Sequence, residues 1–120
     1  MNTTITCVTT FAAAHRLPDH EGKCRNLHGH TYTLEVSVSG VPEREGPSAG
    51  MVMDFADLRA RVARIAVEPL DHTLLNEVVD FVPTVEAIAG WAFAKLAAAG
   101  LPVVRVRLYE GPNSYAEVTQ

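Results

Sequence analysis

A chain of 120 residues, 48% hydrophobic and 20% charged, is large enough for one core, so one domain over residues 1–120 is expected. A net charge of −4 and a pI near 5.7 argue against non-specific nucleic-acid binding, which needs a basic face. No apolar run approaches about 18 residues, so no membrane-spanning helix is expected. The first residues, MNTTITCVTT, lack the basic and apolar regions of a signal peptide. Cys7 and Cys24 sit in unlike contexts that suggest no disulfide framework, and a reducing cytoplasm is the expected compartment.

From Thr3 to His15, Ile5, Cys7, Phe11 and Ala13 share one parity while Thr4, Thr6 and Thr10 take the other, the pattern of a half-buried strand. His28 to Ser39 alternates more sharply. Tyr32, Leu34, Val36 and Val38 face one way; Thr31, Thr33, Glu35, Ser37 and Ser39 face the other. Gly40 to Gly50 is turn chemistry throughout. Asp54 is placed to cap a helix whose apolar stripe is Phe55, Leu58, Val62 and Ile65, and Pro69 ends it. A second helix begins near Pro83 and Thr84, with Glu86 in its first turn. It runs through Ile88, Trp91, Ala92 and Leu96, and Gly100 and Pro102 stop it. Strands over Val103–Glu110 and Tyr115–Thr119 complete a ββααββ order. That order predicts an α+β fold, an antiparallel sheet with both helices on one face.

His28-Gly29-His30 places two imidazoles on one side of a strand, in phase with Tyr32 and Leu34. His15 is likewise in phase with Cys7 and Phe11. If the two strands pair antiparallel, all three rings meet on one patch of the core face. Three neutral imidazoles with an open fourth position is a known arrangement for catalytic zinc, and this pattern predicts one zinc ion. A single histidine of this kind would be read as a core residue bonded to backbone.

Cys24 lies between Lys23 and Arg25 in the connecting loop, the cationic setting of a cysteine nucleophile or base. Two other readings stand beside it: a bystander in a surface loop, or a fourth ligand closing a structural site with the histidines. Asp71-His72 follows Pro69-Leu70, where a helix-start cap is the plain alternative to an acid/base pair. Glu110 shares the parity of Val104, Val106 and Leu108. It is either a strand end reaching solvent or a carboxylate awaiting a nitrogen-rich ligand, because an unpaired buried charge is costly.

Taken together, FAAAHRL, C-x3-HGH from Cys24 to His30, GMVMDFADL, LDHTLLN, PTVE and a late strand ending in Glu110 occur in family order over about residues 11 to 116. The chain resembles the 6-pyruvoyl-tetrahydropterin synthase/6-carboxy-tetrahydropterin synthase family. The short length and three-residue gap before the HGH are similar to bacterial 6-carboxy-5,6,7,8-tetrahydropterin synthases of queuosine (7-deazapurine) biosynthesis; pyruvoyl-forming members typically have a longer gap. The resemblance implies a tunnelling (T-) fold of ββααββ subunits, trimers closing a barrel, two trimers forming a homohexamer, and active sites at subunit interfaces.

The implied reaction converts 7,8-dihydroneopterin triphosphate into 6-carboxy-tetrahydropterin, acetaldehyde and triphosphate. By the same resemblance His15, His28 and His30 ligate zinc, Cys24 abstracts a proton, and Asp71 and His72 form an acid/base pair. Glu110 receives the pterin NH groups, and Thr84 lies in a pterin-side motif. The charge and nearness of Lys23 and Arg25 assign them to the triphosphate. Family members commonly carry Thr after the pterin-binding Glu; Gly111 stands there instead, which puts fine substrate preference in question. The alternatives are a synthase of 6-pyruvoyl-tetrahydropterin, one acting on sepiapterin or dihydroneopterin, and, from another class, a non-catalytic zinc-stabilised interaction module.

Overall fold

The alternation of the first forty residues becomes one long antiparallel hairpin. In the computed structural model, which describes residues 1–120, β1 (Thr3–His15) pairs with β2 (His28–Gly40) from Thr3 opposite Gly40 to His15 opposite His28. Strict two-residue periodicity then sends Cys7, Phe11, Ala13, Tyr32, Leu34, Val36 and Val38 into the core. Each strand has 13 residues. At about 3.3 Å per residue that is roughly 43 Å of ribbon, and it stretches the molecule to 55 × 25 × 22 Å. The radius of gyration is 15.6 Å, against about 14 Å for a compact chain of this length.

Asp54 caps α1 (Phe55–Val62), its carboxylate accepting the Ala56 N–H at 2.7 Å. Leu58 and Val62 are buried as the stripe requires, but Phe55 is 46% exposed. The helix also does not keep its period. Ala63–Val67 forms a π-helical turn, in which the Glu68 N–H reaches back to the Ala63 carbonyl at 2.8 Å. The extra residue per turn rotates the apolar face, so Ala66 and Val67 are buried while Ile65 is only half-buried.

After a turn come β3 (Thr73–Leu74) and the short α2 (Leu75–Val78), neither of which the pattern predicted. A two-residue strand is too short to show alternation. It pairs parallel to β1 at Ala13 and Ala14, so the sheet is not wholly antiparallel. Thr84 caps α3 (Val85–Ala98) by accepting the Ala87 N–H at 3.1 Å. The helix buries Ile88, Ala89, Ala92, Phe93 and Leu96.

β4 (Val103–Tyr109) and β5 (Tyr115–Thr119) complete a sheet of order β3-β1-β2-β4-β5. The β2–β4 register shifts between Ser37 and Val38, so Arg105 opposes Ser37 while Val103 opposes Val38. Val103 therefore points inward and Val104 outward, the reverse of the simple alternation. The phase recovers beyond the shift, with Val106 and Leu108 inside. Both long helices and the inner sheet face share one hydrophobic cluster of 22 buried residues. Full burial of each large apolar side chain in it stabilises the fold by about 1.5–3 kcal/mol.

Candidate metal centre

At the open end of the hairpin the register sets His15 beside His28, with His30 two residues on along the same face. Their ring centroids lie 4.6 to 5.0 Å apart. His15 is 1% exposed, and its Nδ1 donates to the Pro83 carbonyl at 2.8 Å. His28 Nδ1 donates to the Asn26 carbonyl at 2.7 Å. A carbonyl only accepts, so Nδ1 carries the proton in both rings, and each neutral ring presents an Nε2 lone pair. Those two Nε2 atoms are 3.0 Å apart. Two lone pairs held at that distance repel unless a proton or a metal ion lies between them.

Glu110 completes the group. Its Oε1 is 3.2 Å from His15 Nε2 and 2.8 Å from His30 Nε2. The second contact is of ion-pair length but lacks hydrogen-bond geometry, which leaves the buried His30 Nε2 without a hydrogen-bond partner. Burial pushes the His30 pKa below the ordinary imidazole range; Glu110 opposes this, and His15 and His28 add to it. The neutral form is the one that ligates metals. Ligand atoms of His15, His28, His30 and Glu110 all lie within 4.8 Å of one another. Three imidazoles and a carboxylate suit a divalent first-row metal ion, and carbonyls on the far ring nitrogens are the usual orienting partners. The residues fit the metal.

Tyr32 floors the group. Its ring stacks on Phe11 at 5.0 Å, and its hydroxyl is 3.4 Å from His15 Nδ1. Burial, aided by Glu110, raises its pKa far above the ordinary phenol value, so it remains protonated.

Cys24 lies in a 3-10 turn over Lys23–Arg25, its carbonyl accepting the Leu17 N–H at 2.7 Å. The free, half-buried thiol lines a hollow of about 300 Å³ with Lys23, His28 and His30. Cys24 is outside the group of four converging donors, and Glu110 takes the position that the closed-site reading gave to the cysteine. Arg25 is exposed and not part of the hollow.

Asp71 and His72 cap no helix. Asp71 Oδ1 accepts the Ala12 N–H at 3.0 Å and lies 2.9 Å from His72 Nδ1. The His72 N–H donates to the Ala12 carbonyl at 2.6 Å. His72 has φ +60, a conformation that costs a non-glycine residue about 1–3 kcal/mol and is held here by those bonds to β1. The Ala12 N–H, with His72 beside it, holds the Asp71 carboxyl below the usual carboxylate range. The His72 side chain is 82% exposed and does not join the converging donors. It lines an open groove across Ala12 and Ala13 that reaches His30.

Thr84 serves α3 as its cap, and the link from PTVE to the site is instead the Pro83 carbonyl. That carbonyl, the Asn26 carbonyl and the Tyr32 hydroxyl were not foreseen as parts of the site. Neither was Asn76 of LDHTLLN, whose side chain bonds the Arg16 N–H and carbonyl, each at 2.9 Å, and so holds the end of β1. Asn76 carried a side-chain signal; the carbonyls carried none. Gly111 has φ +135, so its lack of a side chain matches a backbone that threonine would strain.

The family model for 6-pyruvoyl tetrahydropterin synthase matches residues 4–120. The chain belongs to that family. A Synechocystis sp. relative named 6-carboxy-5,6,7,8-tetrahydropterin synthase is 50% identical over 95 residues, 78% of this chain and 74% of its own length. A Haemophilus influenzae relative of the same name is 37% identical over 130 aligned residues, 90% of this chain and 92% of its own. The solved structure of Caenorhabditis elegans 6-pyruvoyl tetrahydropterin synthase superposes with a TM-score of 0.87 at 29% identity, covering 100% of this chain and 96% of that one. The α+β fold of the family is therefore the fold of this chain.

Proposed function

We propose that this chain is a zinc-dependent 6-carboxy-5,6,7,8-tetrahydropterin synthase, a lyase acting on 7,8-dihydroneopterin triphosphate and releasing acetaldehyde and triphosphate. The observation that carries the reading is the pair of Nε2 atoms, 3.0 Å apart on rings whose Nδ1 atoms bond carbonyls, beside a free cysteine in a chain of this family. His15, His28 and His30 hold the zinc. When bound, the ion supplies Lewis acidity to the hydroxyls of the substrate side chain.

The remaining roles belong to the chain's own groups. Cys24, on the wall of the same hollow, takes a proton from a side-chain carbon. Asp71 orients the His72 imidazole, which moves a second proton. Glu110 accepts hydrogen bonds from the pterin amino and ring NH groups, with Thr84 on the pterin side. Lys23 and Arg25 meet the triphosphate.

The exposure of His72 supports a site completed by another subunit. So do the two sheet edges, β3 and β5, and the drawn-out shape. Trimers closing a barrel and pairing into a homohexamer would bury those edges. With the reaction goes a place in queuosine or other 7-deazapurine synthesis in the cytoplasm, and the whole of residues 1–120 acting as one domain.

Zinc-loaded protein incubated with 7,8-dihydroneopterin triphosphate should yield a trapped aldehyde and a pterin whose mass carries one carboxylate. A three-carbon pyruvoyl side chain without aldehyde would assign the chain to 6-pyruvoyl tetrahydropterin synthesis. Retained zinc with no turnover of any pterin would favour the non-catalytic module.

A further inference from the structure

Glu110 has been given one task, the pterin ring, but in this structure its carboxylate is engaged with the imidazoles. Oε1 lies 2.8 Å from His30 Nε2 and 3.2 Å from His15 Nε2, and His15 and His28 Nε2 are 3.0 Å apart. A tetrahedral ion with bonds of about 2.0–2.1 Å separates its ligand atoms by roughly 3.3 Å. The carboxylate oxygen thus lies close enough to His15 and His30 to share one ion with them, and all four donors fall within 4.8 Å of one another. A hydrogen bond does not account for the contact, because the buried His30 Nε2 has no hydrogen-bond partner. Nor does attraction to His15, whose Nδ1 proton is committed to the Pro83 carbonyl, so that its neutral ring turns a lone pair toward the anion.

We propose that Glu110 is the fourth ligand of the metal until substrate arrives, and that substrate displaces it to receive the pterin. This rests on the three-histidine metal reading above. The carboxylate cannot hold Oε1 at the fourth position and at the same time turn both oxygens to the pterin amino and ring NH groups. The substrate brings both halves of the exchange: side-chain oxygens for the metal, and N–H donors for the released carboxylate. The turn carrying Glu110 is fixed by its N–H to the Ser114 carbonyl at 3.0 Å and by Gly111 at φ +135. The movement is therefore the side chain's own, and its 27% exposure leaves it room. A diol without a pterin ring offers the carboxylate nothing in return. Glu110 then acts as a selectivity latch, protecting the metal and releasing it only to a ligand that carries ring NH groups.

Cobalt-substituted protein tests this, with the visible cobalt spectrum and the rate of metal removal by a chelator as readouts. The Glu110→Gln variant should show an altered spectrum without ligand and lose metal at least about tenfold faster than the parent. Glu110→Asp, which keeps the charge but shortens the reach, should do the same. In the parent, 7,8-dihydroneopterin should change the spectrum while 1,2-propanediol leaves it unchanged. Both variants matching the parent in spectrum and metal retention would overturn the proposal, as would propanediol acting like dihydroneopterin. Parent protein that takes up no more cobalt than His28→Ala fails differently: the metal reading itself then falls.

Discussion

His15 and His72 both lean on β1, one as its last residue and one through the Ala12 carbonyl, yet they end in opposite settings. The His15 ring is 1% exposed and tied to main chain; the His72 ring is 82% exposed and tied to a carboxylate. A buried ring whose Nδ1 proton is committed to a carbonyl becomes a fixed lone-pair donor. An exposed ring beside an aspartate has one nitrogen held by the carboxylate and the rest of the ring open to solvent. The difference divides the histidines into a set converging within one chain and one whose ring stands apart from it in solvent.

The largest effect expected from breaking this division is on metal content. Native protein should hold about one zinc per chain, His28→Ala should hold almost none, and His72→Ala should match the native value in elemental analysis. Equal losses from both variants would erase the division.

Next comes catalysis. Cys24→Ala and His72→Ala should each lower turnover by about 10²- to 10⁴-fold while keeping metal. Co-assembled in one oligomer, the two variants should regain a measurable part of native activity, since some sites would draw an intact Cys24 and an intact His72 from different chains. Mixed oligomers as inactive as their parents would place both groups in a site made by a single chain.

The smallest effect is in acid. The folded Asp71 pKa is depressed, so its contribution to stability is present above its unfolded pKa of about 3.9 and is lost as pH falls through the folded value. The Ala12 amide resonance should therefore titrate below pH of about 4 in native protein and not in Asp71→Asn. A flat Ala12 signal in native protein would remove the link between the pair and β1.

What could be read from sequence follows from period. Thirteen-residue strands with one buried face repeat often enough to fix parity, and parity alone brought His15, His28 and His30 together. The π-helical turn at Ala63–Val67 and the β4 register shift break a period locally, so Ile65 and Val104 depart from the faces that simple alternation gives them. The two-residue β3 has no period to read. The parity of Glu110 with Val106 and Leu108 is legible, but whether it reaches solvent or the imidazoles depends on how β4 registers against β2, which side-chain pattern does not encode.

The acceptors that orient His15 and His28 are the carbonyls of Pro83 and Asn26, atoms every amino acid possesses. No replacement of either side chain can delete them. The tautomers of these two ligands are thus shielded from point mutation at the residues that set them. They are vulnerable instead to changes in chain length: one residue added or lost between Arg25 and His28, or between Leu75 and Pro83, would move a carbonyl off its ring. Homologous drift around this centre should accordingly be free in residue identity at those two positions and strict in spacing.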